Sequence, residues 1–188
     1  MKDKLNGIEE KTSLDNFSWD ELKDLDLYYT LDDKTYYDKL ILFEDYIKLC
    51  RDNHMMCVVE LKRTNGISEN DLTNLDGVFE IINKYDMARN TIIISFMKEA
   101  LLYTKEHFKC FDIALLTDDN NTTIDTINYC IENGFSVDAY YKLLTKEIID
   151  KMHEHHLTVN SWTVNEINDS KKLEELNIDY ITTDVIGK

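Results

Sequence analysis

The sequence predicts an α/β protein, an incomplete (β/α)8 barrel of about six parallel strands with surrounding helices, and three observations point to it. Short apolar, β-branched runs begin at residues 57, 91, 112, 136, 157 and 179, with amphipathic stretches between them. One strand plus one crossover helix per unit is the rhythm of a parallel sheet. No glycine-rich phosphate loop follows any run, which argues against a nucleotide-binding doubly wound sheet. A full barrel takes ~250 residues, so 188 residues with six strands read as a barrel lacking two. Periodicity alone still leaves a doubly wound sheet open.

The elements follow in order. Ser18-Trp19-Asp20-Glu21 reads as a capping box opening a short helix through Leu25. Residues 43–51 form a helix leading into the first strand, residues 57–62. The next strands are residues 91–95, 112–116, 136–139, 157–162 and 179–182. Leu72, Leu75, Val78, Phe79 and Ile82 step at helical intervals, as do Ile124, Ile127 and Ile131, and again Ile148, Ile149 and Met152. Asn133-Gly134 closes one helix, since glycine accepts the left-handed conformation, and Thr145 caps the start of the next. Nothing in the composition divides the chain, so residues 1–188 read as one domain.

Composition excludes several partner classes. With 21 Lys plus Arg against 37 Asp plus Glu, the formal net charge is −16. Such a surface repels nucleic-acid backbones and anionic lipid heads. An anionic small substrate therefore needs a local positive device, a cation or a well-placed lysine. Cys50, Cys57, Cys110 and Cys130 show no close pairing and read as buried reduced thiols. No apolar stretch reaches the ~18 residues of a spanning helix and no signal-peptide pattern opens the chain, so the expected location is cytoplasmic.

The chemistry concentrates in Cys57-Val58-Val59-Glu60-Leu61-Lys62. A strand's period of two turns Glu60 and Lys62 to one face. A carboxylate and an ammonium on the inside of a sheet are costly unless a metal or an anion meets them. From the residues alone the pair reads equally as a ligand site or as a buried ion pair.

The order of motifs resembles the glycerophosphodiester phosphodiesterase family over nearly the whole chain. Residues 12–27, with Phe17-Ser18-Trp19-Asp20-Glu21-Leu22-Lys23, are similar to the family's segment after its His-Asp motif. Leu42-Phe43-Glu44-Asp45-Tyr46 is similar to its Thr-Leu-Glu-Glu helix start, Val59-Glu60-Leu61-Lys62 to its Glu-x-Lys strand, and Ile94-Ser95-Phe96 to its Ser-Phe strand end. Trp162-Thr163-Val164-Asn165 and Thr183-Asp184 match its last two strand ends. The resemblance implies a TIM barrel that hydrolyses glycerophosphodiesters to an alcohol and glycerol 3-phosphate with a divalent metal, Mg or Ca. It implies Glu60 as a metal carboxylate, Lys62 on the substrate phosphate, and Trp162 and Phe96 as pocket walls, each of which reads otherwise as core or rim. Thr183 and Asp184 fit substrate contact or loop closure equally.

Departures from the pattern matter as much. The family's His-Arg-Gly, Glu-x-Asp and His-Asp have no counterpart here, and Val185 stands where a proline usually follows Thr-Asp. The expectation is a domain lacking its N-terminal strands, weakly active or inactive, with no catalytic residue of its own. None of His54, His107, His153, His155 and His156 follows a strand, so none reaches the mouth, and His153-x-His155-His156 is weak as a zinc site. Two unpaired sheet edges would favour a homodimer. The alternative is a non-catalytic barrel remnant that binds a phosphate ester or associates with itself.

Overall fold

The computed structural model describes residues 14–31, 33–64, 67–68 and 71–185. The chain divides after His54 into two compact units.

The first unit holds a short helix α1 (Trp19–Leu22), a hairpin of β1 (Asp26–Leu31) and β2 (Lys34–Lys39), and helix α2 (Phe43–Asp52). Glu21 accepts hydrogen bonds from the backbone N–H and the hydroxyl of Ser18, both at 2.8 Å, so the expected capping box forms. The hairpin departs from the sequence expectation, which placed no strand here. Tyr28 stands opposite Tyr37 and Tyr29 opposite Tyr36 in an antiparallel register. The Tyr28 and Tyr37 rings lie 6.3 Å apart, and such cross-strand aromatic pairs stabilise a ribbon. Asp33 takes the left-handed conformation (φ 61°) that a two-residue hairpin loop requires. Tyrosine- and threonine-rich runs flanking Asp32-Asp33 were the available signal.

The second unit is one parallel sheet of six strands in sequential order. They are β3 (Cys57–Glu60), β4 (Thr91–Ser95), β5 (Asp112–Thr117), β6 (Ser136–Tyr140), β7 (Val159–Trp162) and β8 (Tyr180–Ile181). Helices α3 (Asp76–Lys84), α4 (Lys98–His107), α5 (Ile124–Asn133), α6 (Lys146–Glu154) and α7 (Ile167–Glu175) alternate with them. The six runs expected from the sequence are the six strands observed: β3, β7 and β8 are shorter than expected by two residues each, and β5 and β6 longer by one.

Helices cover one face of the sheet. Ile93, Val137, Ala139, Val159 and Ser161 are fully enclosed there, against Phe79 and Ile82 of α3, Leu101 of α4, Ile127 of α5 and Ile149 and Met152 of α6. Ile124 was expected on this face and instead stands exposed, because Thr123 caps the helix and Ile124 is its first residue. Gly134 closes α5 at φ 64°, and Thr145 caps α6 by accepting from the Ile148 N–H, both as expected.

The other face is concave. Phe96 follows β4 and Trp162 ends β7, three strands away, which is about 14 Å in a flat sheet. Their ring centroids nevertheless lie 6.1 Å apart. The sheet therefore curls into half a barrel, and Ile92, Ile94, Ala114 and Leu116 line its interior with Trp162 packed on them. All four cysteines are free thiols. Cys50, Cys57 and Cys130 are buried as expected, whereas Cys110 is exposed in the turn after α4. Among the described residues no helix is long and apolar enough to cross a membrane.

Candidate active site

The C-terminal ends of parallel barrel strands are where such folds carry their chemistry. Here that rim is made by residues following β3 and β4 and by the ends of β6 and β7. The ladder runs one residue past β3, with the Leu61 N–H donating to the Ile94 carbonyl at 2.8 Å. The buried Ser95 hydroxyl donates to the Leu61 carbonyl at 2.7 Å and accepts from the Met97 N–H at 3.0 Å. One hydroxyl thus fixes the backbone from which Lys62 and Phe96 project.

Glu60 and Lys62 meet as an ion pair, Nζ to Oε2 3.1 Å. The pair is at the rim and not inside the sheet, since β3 ends at Glu60; the two side chains are 31% and 69% exposed. An ion pair in that much water adds little stability, so packing does not require these two charges. They line a cavity of about 480 Å³ together with Arg63, Phe96, Met97 and Glu99. A second cavity of about 510 Å³ opens at the opposite, N-terminal ends of the strands, between Ile92, Asp112, Ser136 and Tyr180. The rim cavity is the better candidate because it gathers an acid, a base and an aromatic ring at the strand C-termini.

Phe96 stands half-exposed, edge-on to the partly buried Trp162 at 86°. Tyr140 of β6 tilts against that indole with ring centroids 5.8 Å apart. The Trp162 N–H donates to the Asp138 carbonyl at 3.1 Å, which orients the ring. Three aromatic rings therefore make a continuous wall. Thr183 and Asp184 serve loop closure: the Asn165 amide oxygen accepts from the Asp184 N–H at 2.9 Å and from the Thr183 hydroxyl at 3.2 Å, and its NH2 donates to Asp184.

Asp138 escaped the sequence reading. It lies on β6 at 2% exposure, in register with Leu116 on one side and Asn160 on the other. Burial first, and the negative charge of Glu60 second, push its carboxyl up to about 7. The available signal was an acidic residue inside the strand run Val137-Asp138-Ala139, the same kind of anomaly that singled out Glu60.

The histidines of the second unit sit away from the rim. His153 pairs with Asp179 at 2.8 Å, and His107 stacks on Tyr103 at a ring separation of 4.2 Å. Among the described residues no three His, Cys, Asp or Glu side chains converge as a metal site. Glu60 offers a hard oxygen, but a divalent ion such as Mg²⁺ or Ca²⁺ takes about six or more, so the described residues supply at most a fraction of such a shell.

A model of the glycerophosphoryl diester phosphodiesterase family matches residues 3–188. The chain belongs to this family. The solved structures that this family member is similar to agree in fold. A candidate glycerophosphodiester phosphodiesterase from Galdieria sulphuraria superposes with a TM-score of 0.76 at 20% identity, over 94% of this chain and 70% of that one. A glycerophosphodiester phosphodiesterase from Parabacteroides distasonis gives 0.68 at 24% identity, over 89% and 66%. A phosphodiesterase from Oleispira antarctica, solved with the product sn-glycerol-3-phosphate, gives 0.67 at 15% identity, also over 89% and 66%. The chain thus spans about two thirds of the length of these relatives. No curated protein matches the sequence.

Proposed function

We propose that the protein is a phosphoric diester hydrolase acting on glycerophosphodiesters, releasing an alcohol and glycerol 3-phosphate. The carrying observation is the rim cavity, where Glu60 and Lys62 hold opposite charges in reach of solvent beside Phe96, in a chain of this family. Lys62 would meet the substrate phosphate as a compact positive charge. Glu60 would give one oxygen to a Mg or Ca ion, which supplies Lewis-acid polarisation of the phosphoryl oxygen when bound. Trp162 and Phe96 would wall the organic part of the diester, and a cytoplasmic location belongs to the same reading.

Hydrolysis also needs a proton donor near the leaving oxygen. None of the four histidines of the second unit stands at the rim, so the chain alone should turn over weakly. That same observation favours a second reading, a non-catalytic half-barrel that binds a phosphate ester or pairs with a second copy through its sheet margin.

Release of glycerol 3-phosphate from glycerophosphocholine with Mg²⁺ or Ca²⁺, lost in Glu60→Gln, separates the two. Saturable binding of glycerol 3-phosphate without turnover favours the second reading. Neither turnover nor binding sinks both. Light scattering decides the self-association, which a monodisperse monomer at high concentration would rule out.

A further inference from the structure

Beneath the aromatic wall the half-barrel holds two buried side-chain oxygens, Asp138 Oδ1 and Asn160 Oδ1, with no hydrogen-bond partner. They belong to register partners on neighbouring strands and lie on the concave face, the face of Leu116 and Trp162. Their residues are 2% and 4% exposed, so solvent does not reach them. An unpaired acceptor in such a place is costly. Two adjacent acceptors need one donor between them. The carboxyl supplies it as its acid; an Asn160 amide turned to face Asp138 with its NH2 would supply it instead and leave no proton to titrate, which the flat profile below would report.

We propose that Asp138 is a positioning residue: its carboxylic acid donates to Asn160 Oδ1, and the joined strands hold the Trp162 ring in place. The indole is tied to both members. It stands two residues beyond Asn160 on the same face, and its N–H donates to the carbonyl of Asp138 itself. Losing the shared proton would put a second negative charge opposite Glu60 in a sealed floor. β6 and β7 would then separate or admit water, and the ring would shift with them.

The groups facing Asp138 are few. β3 presents Glu60, with Lys62 attached to it; β4 presents Ile94; β5 presents Ala114 and Leu116; β7 presents Asn160 and Trp162. Tyr140 on its own strand, Tyr180 on β8 and Asp112 on β5, in register with Ile92, are the other titratable side chains of the described strands on this face. Lys62 is the one cation among them, and Glu60 holds it at the exposed rim. The consequence for substrate binding rests on Trp162 lining the pocket; the proton itself does not.

The chain has two tryptophans, so Trp19→Phe in the full chain leaves Trp162 as the sole indole reporter. Its emission should show one transition with a midpoint of about 7. Asp138→Asn carries a permanent N–H donor and should flatten the profile at the acid-form emission, a rescue that a merely structural role would not produce. Glu60→Gln should keep the transition and move the midpoint down, because it removes a repelling charge. A flat profile between about pH 5 and about pH 9 in the parent, or an undiminished transition in Asp138→Asn, overturns the proposal. If Asp138→Asn does not fold, an unmoved midpoint in Glu60→Gln overturns it instead. A flat profile alongside intact glycerol 3-phosphate binding breaks this inference and leaves the phosphodiesterase reading standing; the converse breaks only the latter.

Discussion

At the rim of the half-barrel, Glu60 and Lys62 face each other with 31% and 69% of their side chains in water. On the floor, Asp138 and Asn160 sit side by side on β6 and β7 with almost none. Both pairs are polar and both stand on strands of one sheet. Solvent separates their energetics: the rim pair is screened and adds little to folding, while every unmet bond on the floor is costly. Charges that stability does not need are free to serve a ligand. Polar groups that stability must accommodate report on how the scaffold is held.

The comparison breaks first on the floor. Leu116→Ala, at a position 5% exposed beside Asp138, should lower unfolding free energy by about 2–5 kcal/mol in urea melts. A loss within ordinary surface scatter would mean that the floor is not packed. The pH dependence of stability comes next. Asp138 binds its proton more tightly folded than unfolded, so its contribution is complete below its ordinary value of 3.8 and is lost as pH rises towards about 7. The difference between parent and Asp138→Asn should therefore slope over that window by at most about 1.4 kcal/mol per pH unit, and level off above it. Parallel profiles would leave Asp138 without a trapped proton. Smallest in stability is Lys62→Ala, expected within about 1 kcal/mol of the parent by the same melts. Its affinity for glycerol 3-phosphate, read by calorimetry, should fall about tenfold or more. Unchanged affinity would move the phosphate site elsewhere.

The parallel sheet was legible because its strands are apolar on both faces and read as continuous runs, as in Thr91-Ile92-Ile93-Ile94-Ser95. The hairpin was not, because β2 is exposed along its whole length and carries no hydrophobic alternation, only tyrosine and threonine preference. The period of two put Glu60 and Lys62 on one face but left a ligand site and a buried ion pair equally open, because a strand end cannot be read to the residue; the pair forms, and it is not buried. Asp138 was missed for a different reason. What makes it unusual is its neighbours across β5 and β7 and the reach of Glu60 over the curl, and that proximity exists only after three strands have wrapped.

Lys62 also has a consequence for how a ligand arrives. A phosphate ester coming from bulk solvent first meets the summed field of a molecule with formal charge −16, which pushes it away, and feels the ammonium only at short range. Added electrolyte damps the distant repulsion, with a Debye length of about 8 Å at physiological strength, more than it weakens a contact of ~3 Å. Encounter should therefore quicken as moderate salt is added, the reverse of the steering seen in enzymes whose surfaces attract their substrates.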